Sequence, residues 1–186
     1  MSQAAAKNTQ SSKFSVRDIC YTAAVIAVMA QISIPMPLGV PMTMQTFAIT
    51  LAAVVLGSKL SAMASLVYLI LGAVGVPVLA SFSGGIDKFV CHTGGFLISF
   101  PLMAYIIGLG VEHRNAFKGA FPLAVVVGTV VNYIVGVILF VIVAHSTVAV
   151  AISACVLPFI PTAIIKAVLA CAIGLNIRKR IPGLKA

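Results

Sequence analysis

Charged side chains are scarce in this sequence of 186 residues, since Asp, Glu, Lys and Arg together make up only 8% of it. A soluble globular domain carries roughly 25%. With 61% hydrophobic residues and a mean hydropathy of +1.18, the chain has too few polar groups to cover a surface in water. This composition excludes a soluble globular enzyme, a disordered chain and a fibrous protein. It predicts a polytopic membrane protein of one domain.

Motifs that carry chemistry are scarce as well. The sequence has no GxxxxGK[ST] motif and no GxGxxG after a strand, so it offers no nucleotide-phosphate site of its own. Only three acidic residues are present, and they form no pair of intramembrane acids for a proton relay. The four cysteines lack CxxC spacing, and we interpret them as small core residues. We therefore expect no enzymatic activity, no cofactor and no metal.

What the sequence does contain is a series of apolar segments. A straight helical crossing needs about 20 apolar residues, which the third, fifth and sixth segments supply and the second does not. Because backbone in lipid must satisfy its own hydrogen bonds, we predict an all-α six-transmembrane-helix bundle over residues 15–180. A disordered polar tail is expected at residues 1–14 and a short basic tail at residues 181–186. The six segments are Ile19–Ile34, Met42–Leu56, Leu60–Leu79, Phe96–Val111, Phe121–Ala144 and Val148–Ile177.

The basic residues are distributed unevenly along these segments. If the N-terminus is cytoplasmic and all six segments cross, ten of the twelve Lys and Arg residues lie inside and only Lys88 lies in an outer loop. This positive-inside pattern predicts cytoplasmic termini and a multi-pass protein of the cell membrane. It also accounts for the net charge of +9 without a nucleic-acid partner.

Lys166 is the most informative single residue, because it lies inside the sixth apolar segment. Pro158 and Pro161 interrupt that segment, so its helix is expected to begin there, with Lys166 roughly 7–8 Å below the outer end. A lysine in apolar surroundings costs at least ~2.5–3.5 kcal/mol and usually meets a ligand or a counter-charge. With a helix N-terminus nearby, it indicates an outward-facing site for a carboxylate or a polar acceptor. The alternative is a lysine that snorkels to the interface.

Two outer stretches offer further candidates. Thr43 and Gln45 put hydrogen-bonding groups at the start of the short second helix, although Thr43 is also a possible N-cap. The glycine pairs at 84–85 and 94–95 permit close approach of the backbone to a ligand or to another helix. Asp87 and Lys88, between these pairs, are most simply a solvated loop pair. In the first segment, Ala23 and Ala27 form a small-xxx-small pair that suits helix packing or partner docking equally well.

These clusters, in this order and spacing, resemble the BioY family, the biotin-specific S-components of energy-coupling-factor (ECF) transporters. The matching stretches are PMPLGVPMTMQT (35–46), YLILGAVGVPV (68–78), FSGG (82–85), TGGFL (93–97) and LPFIP (157–161) with Lys166. The resemblance implies a six-helix S-component that binds biotin at the outer face of a bacterial or archaeal cell membrane. It further implies partnership with a membrane coupling protein and cytoplasmic ATPases.

The same resemblance implies roles for individual residues. Ala23 and Ala27 resemble the small-residue patch through which S-components dock. The residues expected to bind substrate are Lys166, Gln45, Thr43, Asp87, Thr93, Gly94, Gly95 and Tyr68.

The chain departs from the family pattern at two places. The family usually has Gly-Asp before two apolar residues and the lysine, whereas this chain has Thr162 and Ala163; Cys91 and His92 replace a usual Gly-Pro. An unmet buried donor costs about 1–3 kcal/mol, roughly 10–100-fold in affinity. Asp87 is a candidate replacement acceptor. The departures leave open a diverged S-component for another small vitamin-like or carboxylated substrate, or a membrane assembly protein that binds no ligand.

Overall fold

A computed structural model describes residues 16–35, 40–114 and 119–180 of the chain, and these are mostly helical, as the apolar segments predict. The tails predicted at 1–14 and 181–186 lie outside the described residues. Single turns of 3-10 helix cover Ala80–Phe82 and Leu157–Phe159, and strand β1 (Ser33–Ile34) pairs antiparallel with β2 (Met42–Thr43). The helices are α1 (Val16–Ala30), α2 (Gln45–Leu56), α3 (Ser58–Ala73), α4 (Asp87–Val90), α5 (Gly94–Ile98), α6 (Phe100–Glu112), α7 (Ala120–Ala144), α8 (Val148–Cys155) and α9 (Ile160–Arg180).

Several predicted segments are shorter or more divided than hydropathy indicates. The first helix ends at Ala30, and the third ends at Ala73, before the turn that contains Gly75 and Pro77. The fourth segment is divided into α5 and α6, and the sixth into α8 and α9. Hydropathy does not register these breaks, because the turn residues between the helices are themselves apolar or small.

Two runs are long and apolar enough to cross a membrane among the residues described: α7, with 25 residues, and the 33-residue run Val148–Arg180 that contains α8 and α9. Three apolar helices, α2, α3 and α6, are shorter. The shortest, α2, lies among α1, α3, α6 and α9, and eight of its twelve residues are buried. Its neighbours therefore cover most of its surface.

Polar contacts tie several helix ends together at one end of the bundle. Arg178, near the end of α9, donates through Nη1 to the carbonyl oxygen of Val54 in the last turn of α2, at 3.0 Å. Glu112, at the end of α6, accepts from the backbone N–H and the hydroxyl of Ser58, at 2.7 and 2.9 Å. The end of α9 therefore meets the end of α2, and the start of α3 meets the end of α6. We call this the basic end, since it carries Lys59, Arg114, Arg178, Lys179 and Arg180.

Two glycines allow the helices around this end to approach closely. A Cβ atom on Gly108 of α6 would overlap the backbone of Ser58 and Gly57 at the start of α3. A Cβ atom on Gly128 of α7 would instead meet the Ile107 side chain, whose Cγ1 atom lies 2.8 Å away. The α3–α6 contact is thus backbone against backbone, which only glycine permits.

Candidate functional site

A cavity of about 330 Å³ lies at the end of the bundle opposite the basic end. The start of α2, the segment after α3, the α4–α5 connection and the start of α9 surround it, and the middle of α7 contributes to its wall. The polar residues that line it are Thr43, Gln45, Thr46, Ser81, Ser83, Lys88, His92, Thr93, Asn132, Thr162 and Lys166. The aromatic residues of its walls are Phe96, Phe100, Tyr133 and Phe159. The lining therefore combines apolar aromatic surface with a few hydrogen-bonding groups, as small-molecule sites do.

Lys166 is half-buried and faces this cavity. The helix α9 begins at Ile160 with Pro161 in its first turn, as the sequence predicts. From the second turn, Lys166 Nζ donates to the carbonyl oxygen of Thr43 at 2.7 Å. Its nitrogen is therefore held against the wall of the cavity. An ammonium group has three N–H donors, so the bond to Thr43 leaves donors for an oxygen of a ligand.

The charge of the lining has one sign. Lys166 and Lys88 both line the cavity, and none of the described residues in its lining is acidic. A half-buried site of this charge, surrounded by aromatic walls, stabilises negative charge or a carbonyl dipole on a bound molecule. The arrangement suits a small amphipathic molecule that bears at least one acceptor oxygen.

Gln45 is held in a defined orientation by its neighbours. Thr43 Oγ1 donates to Gln45 Oε1 at 2.9 Å, and Gln45 Nε2 donates to the hydroxyl of Tyr68 at 2.6 Å. Met44 occupies the N-cap position of α2, so the alternative role of Thr43 as N-cap is not observed. Tyr68 is fully buried on α3 and does not line the cavity. It therefore acts on the site through Gln45, whose amide it orients.

Removing the Tyr68 hydroxyl leaves Gln45 Nε2 without this acceptor, so Tyr68→Phe is expected to weaken ligand binding about 3–10-fold, the equivalent of one ordinary hydrogen bond. The matched control is Tyr105→Phe on the exposed face of α6. Equilibrium binding to the two purified variants measures the effect. Equal affinities would show that Tyr68 does not orient Gln45 for binding.

One rim of the cavity has an unusual backbone. Ser81 and Phe82 have φ angles of 57° and 53°, in the left-handed region that non-glycine residues rarely adopt. The N–H of Phe82 donates to Gln31 Oε1 at 2.7 Å, and Gln31 Nε2 donates to the carbonyl oxygens of Val78 and Leu79 at 3.3 and 3.2 Å. Gln31 directly follows α1, so this helix holds the rim turn in its strained conformation.

The other residues predicted for the site are placed differently. Thr93 lines the cavity. Gly94 and Gly95 are buried, and a Cβ atom on either would overlap backbone, that of Phe89 or that of Val135 respectively. These glycines therefore let α5 pack closely and do not belong to the cavity lining. Asp87 lies outside the lining, with its side chain 69% exposed and 3.4 Å from the ammonium of Lys88.

The small pair on α1 lies in the interior of the bundle. Ala23 is 2% exposed and belongs to the core cluster around α1, α2 and α3, against which Ala27 packs. Packing within the chain thus accounts for both residues. The exposed small residues of α1 are Cys20 and Ala24.

All four residues at which the chain departs from the family pattern line the cavity: Thr162, Ala163, Cys91 and His92. The His92 ring meets Phe140 edge to face, with the ring centroids 5.9 Å apart. Cys91 Sγ lies 3.0 Å from Thr93 Oγ1. Within the ranges that the structure covers, no three His, Cys, Asp or Glu side chains converge as a metal site.

Sequence reasoning missed Asn132, Tyr133 and Gln31. Asn132 is a polar residue within the 25-residue apolar helix α7, so the argument applied to Lys166 applies to it as well. Tyr133 and Gln31 had no such signal, since the role of each depends on segments distant in sequence.

Comparisons with known proteins give the family and the fold of this chain. The family model described as BioY matches residues 6–183. A protein of Thermotoga maritima named biotin transporter BioY is 41% identical over 84% of this chain and 90% of its own. One of Rhizobium etli with the same name is 33% identical over 92% and 98%. A crystal structure described as the S-component for biotin from an ECF-type ABC transporter superimposes with a TM-score of 0.80 at 25% identity, covering 97% of this chain and 96% of that one.

Proposed function

The chain belongs to the BioY family, and on that premise we propose that it is the biotin-binding S-component of an ECF-type transporter. The observation that carries the proposal is Lys166, whose Nζ faces a cavity without a carboxylate in its described lining. Biotin is a small amphipathic molecule with oxygen acceptors at both ends and an apolar middle. Lys166 donates to one of its oxygens, and the aromatic walls cover its hydrocarbon and thioether parts.

The orientation of the cavity in the membrane is part of the same proposal. The basic end lies opposite the cavity and carries Lys59, Arg114 and Arg178–Arg180. Cytoplasmic ends of membrane helices are rich in such residues. We place the basic end and both termini in the cytoplasm, the cavity at the outer face, and six helical crossings in the cell membrane. Substrate is then captured from outside.

Uptake requires partners in this proposal. The chain has no motif for binding ATP, so energy comes from a membrane coupling protein and cytoplasmic ATPases that release biotin inward. The exposed apolar face of α1, which includes Tyr21, Val25 and Val28, is available to lipid or to the coupling protein. The chain itself acts as a carrier of substrate and not as an enzyme.

Two cysteines allow a direct test of where biotin binds. Cys91 lines the cavity, whereas Cys20 is exposed on α1. In a variant that keeps only Cys91, saturating biotin is expected to slow maleimide labelling at least ~10-fold, because a bound ligand covers the thiol. In the matched variant that keeps only Cys20, the rate is expected to stay the same. Saturable biotin binding with unprotected Cys91 would place the site elsewhere.

A second candidate function is capture of a different small vitamin-like or carboxylated substrate by a diverged S-component. The observation that favours it is that Ala163, Cys91 and His92, which differ from the usual family residues, all line the cavity. Equilibrium binding of radiolabelled biotin to the purified protein decides between the two. Binding at nanomolar concentration supports biotin. If the protein binds no biotin at high micromolar concentration but binds another vitamin, that vitamin is the substrate. A protein that binds nothing would fit the third reading, a membrane assembly protein.

A further inference from the structure

Asn132 is a buried amide in the middle of α7, 2% exposed, and it contributes to the wall of the cavity. Its Nδ2 donates to Ser99 Oγ at 2.7 Å and to the carbonyl oxygen of Phe96 at 3.1 Å. Ser99 Oγ in turn donates to the same Phe96 oxygen at 3.0 Å. The single proton of the Ser99 hydroxyl is therefore used, and the oxygen can only accept from Asn132.

This network fixes which way the Asn132 amide faces. A carbonyl oxygen cannot donate, so the group that contacts Phe96 must be the NH₂ group and not the amide oxygen. Both of its N–H bonds are occupied, one by Ser99 and one by Phe96. The oxygen Oδ1 is the remaining polar atom of the side chain, and no described residue donates a hydrogen bond to it. The two hydrogen bonds of Nδ2 therefore fix the position of Oδ1, which remains as an acceptor.

Asn132 and Lys166 also line a second, smaller space. A small pocket of about 20 Å³, enough for a single water molecule, adjoins the main cavity. Five residues line both spaces: Thr46, Asn132, Tyr133, Ala163 and Lys166. The small side chain of Ala163 leaves this space open. We call these five residues the floor of the cavity; among them, Lys166 carries N–H donors and Asn132 carries the acceptor Oδ1.

We propose that Asn132 is a substrate-binding residue whose Oδ1 accepts a hydrogen bond from an N–H group of the substrate, beside a carbonyl that Lys166 contacts. A donor next to an acceptor is complementary to a cyclic urea or lactam, in which C=O and N–H are adjacent. The inference rests on the proposed function and deepens it: the urea ring of biotin, rather than its carboxylate, lies at the floor. The acceptor for its N–H is thus a neutral amide in this chain.

The test compares biotin with its two carbamate analogues, in each of which a ring oxygen replaces one urea N–H with little change of shape. The wild-type protein is expected to bind at least one analogue about 10-fold or more weakly than biotin, because an oxygen would face Oδ1 without a hydrogen bond. Asn132→Ala is expected to bind biotin roughly 10–100-fold more weakly, and the preference for biotin over that analogue should fall to about 2-fold or less.

Controls separate binding from structural support. Ser99→Ala removes one partner of Nδ2 but keeps Oδ1, so it is expected to retain the preference for biotin. If Asn132→Ala weakens biotin and both analogues equally, Asn132 only supports the fold and the inference is wrong. If Asn132→Ala fails to fold, the affinities of the wild-type protein for biotin and for the two analogues still test the inference. Equal affinities for all three would overturn it. Wild-type protein that binds no biotin would instead contradict the proposed function.

Discussion

Replacing Lys166 by methionine is expected to weaken biotin binding roughly 100-fold or more. The change keeps an unbranched stem in the same space but removes the only ammonium at the floor of the described cavity, together with its bond to the Thr43 carbonyl. Truncating one side of a desolvated charged contact costs about 2–5 kcal/mol. Folding should survive, because an uncharged side chain is easier to place in an apolar helix.

The measurement is equilibrium binding of radiolabelled biotin to the detergent-solubilised variant, with its unfolding temperature as a check of integrity. Lys59→Met is the matched control, since Lys59 is exposed at the basic end and the mutation changes the net charge by the same amount. A Lys166→Met protein that is well folded and binds like the wild type would remove the central support of the proposed function.

The second large effect concerns stability. Gly108→Ala is expected to lower the free energy of unfolding by about 2–3 kcal/mol or more, because its Cβ overlaps the backbone of Ser58 and Gly57, which cannot move aside without displacing α3. Gly128→Ala is the matched control, since both glycines are buried inside helices and alanine favours the helix equally in both. At Gly128 the nearest atom is Cγ1 of the Ile107 side chain, 2.8 Å from the added Cβ, and the Met103 carbonyl oxygen lies at 3.2 Å.

Thermal unfolding of the two variants in the same detergent measures the difference. Gly108→Ala should unfold several degrees below Gly128→Ala, because the closest overlaps at Gly108 are with backbone and the closest one at Gly128 is with a side chain. If both variants unfold together, then α3 and α6 are less closely packed than the structure indicates. Ligand binding at permissive temperature should persist in both variants, because neither glycine lines the cavity.

The general character of the fold could be predicted from the sequence, since a high hydropathy and an uneven distribution of basic residues constrain a membrane protein strongly. Helix ends were less predictable. The break between α5 and α6 lies within an apolar stretch, where hydropathy does not show it, although Pro101 in the first turn of α6 is a local signal for a helix start. The length of the second segment left open whether it crosses incompletely or lies shielded by its neighbours, and the structure buries eight of the twelve residues of α2.

The candidate site was predictable where polar residues interrupt apolar sequence. Lys166, Thr43 and Gln45 were singled out on that ground, and the structure brings them together. Asp87 was not brought to the cavity, because it begins the short helix α4 and pairs with its neighbour Lys88. Which way an amide faces, as at Asn132, depends on partners more than thirty residues away along the chain, and no local pattern encodes it.

Hydrogen bonds of Gln31 connect the end of α1 to the turn at Ser81 and Phe82, and through it to the lining of the cavity. The turn borders the cavity, and the Gln31 side chain both accepts a hydrogen bond from it and donates hydrogen bonds to the residues just before it. A ligand that stabilises this turn also stabilises one position of α1, and the linkage is reciprocal. A partner that binds α1 and displaces it also disturbs the turn, and so lowers the affinity for substrate. By linkage, bound substrate lowers the affinity for that partner by the same factor. The position of α1 would then determine whether the protein holds its substrate or releases it.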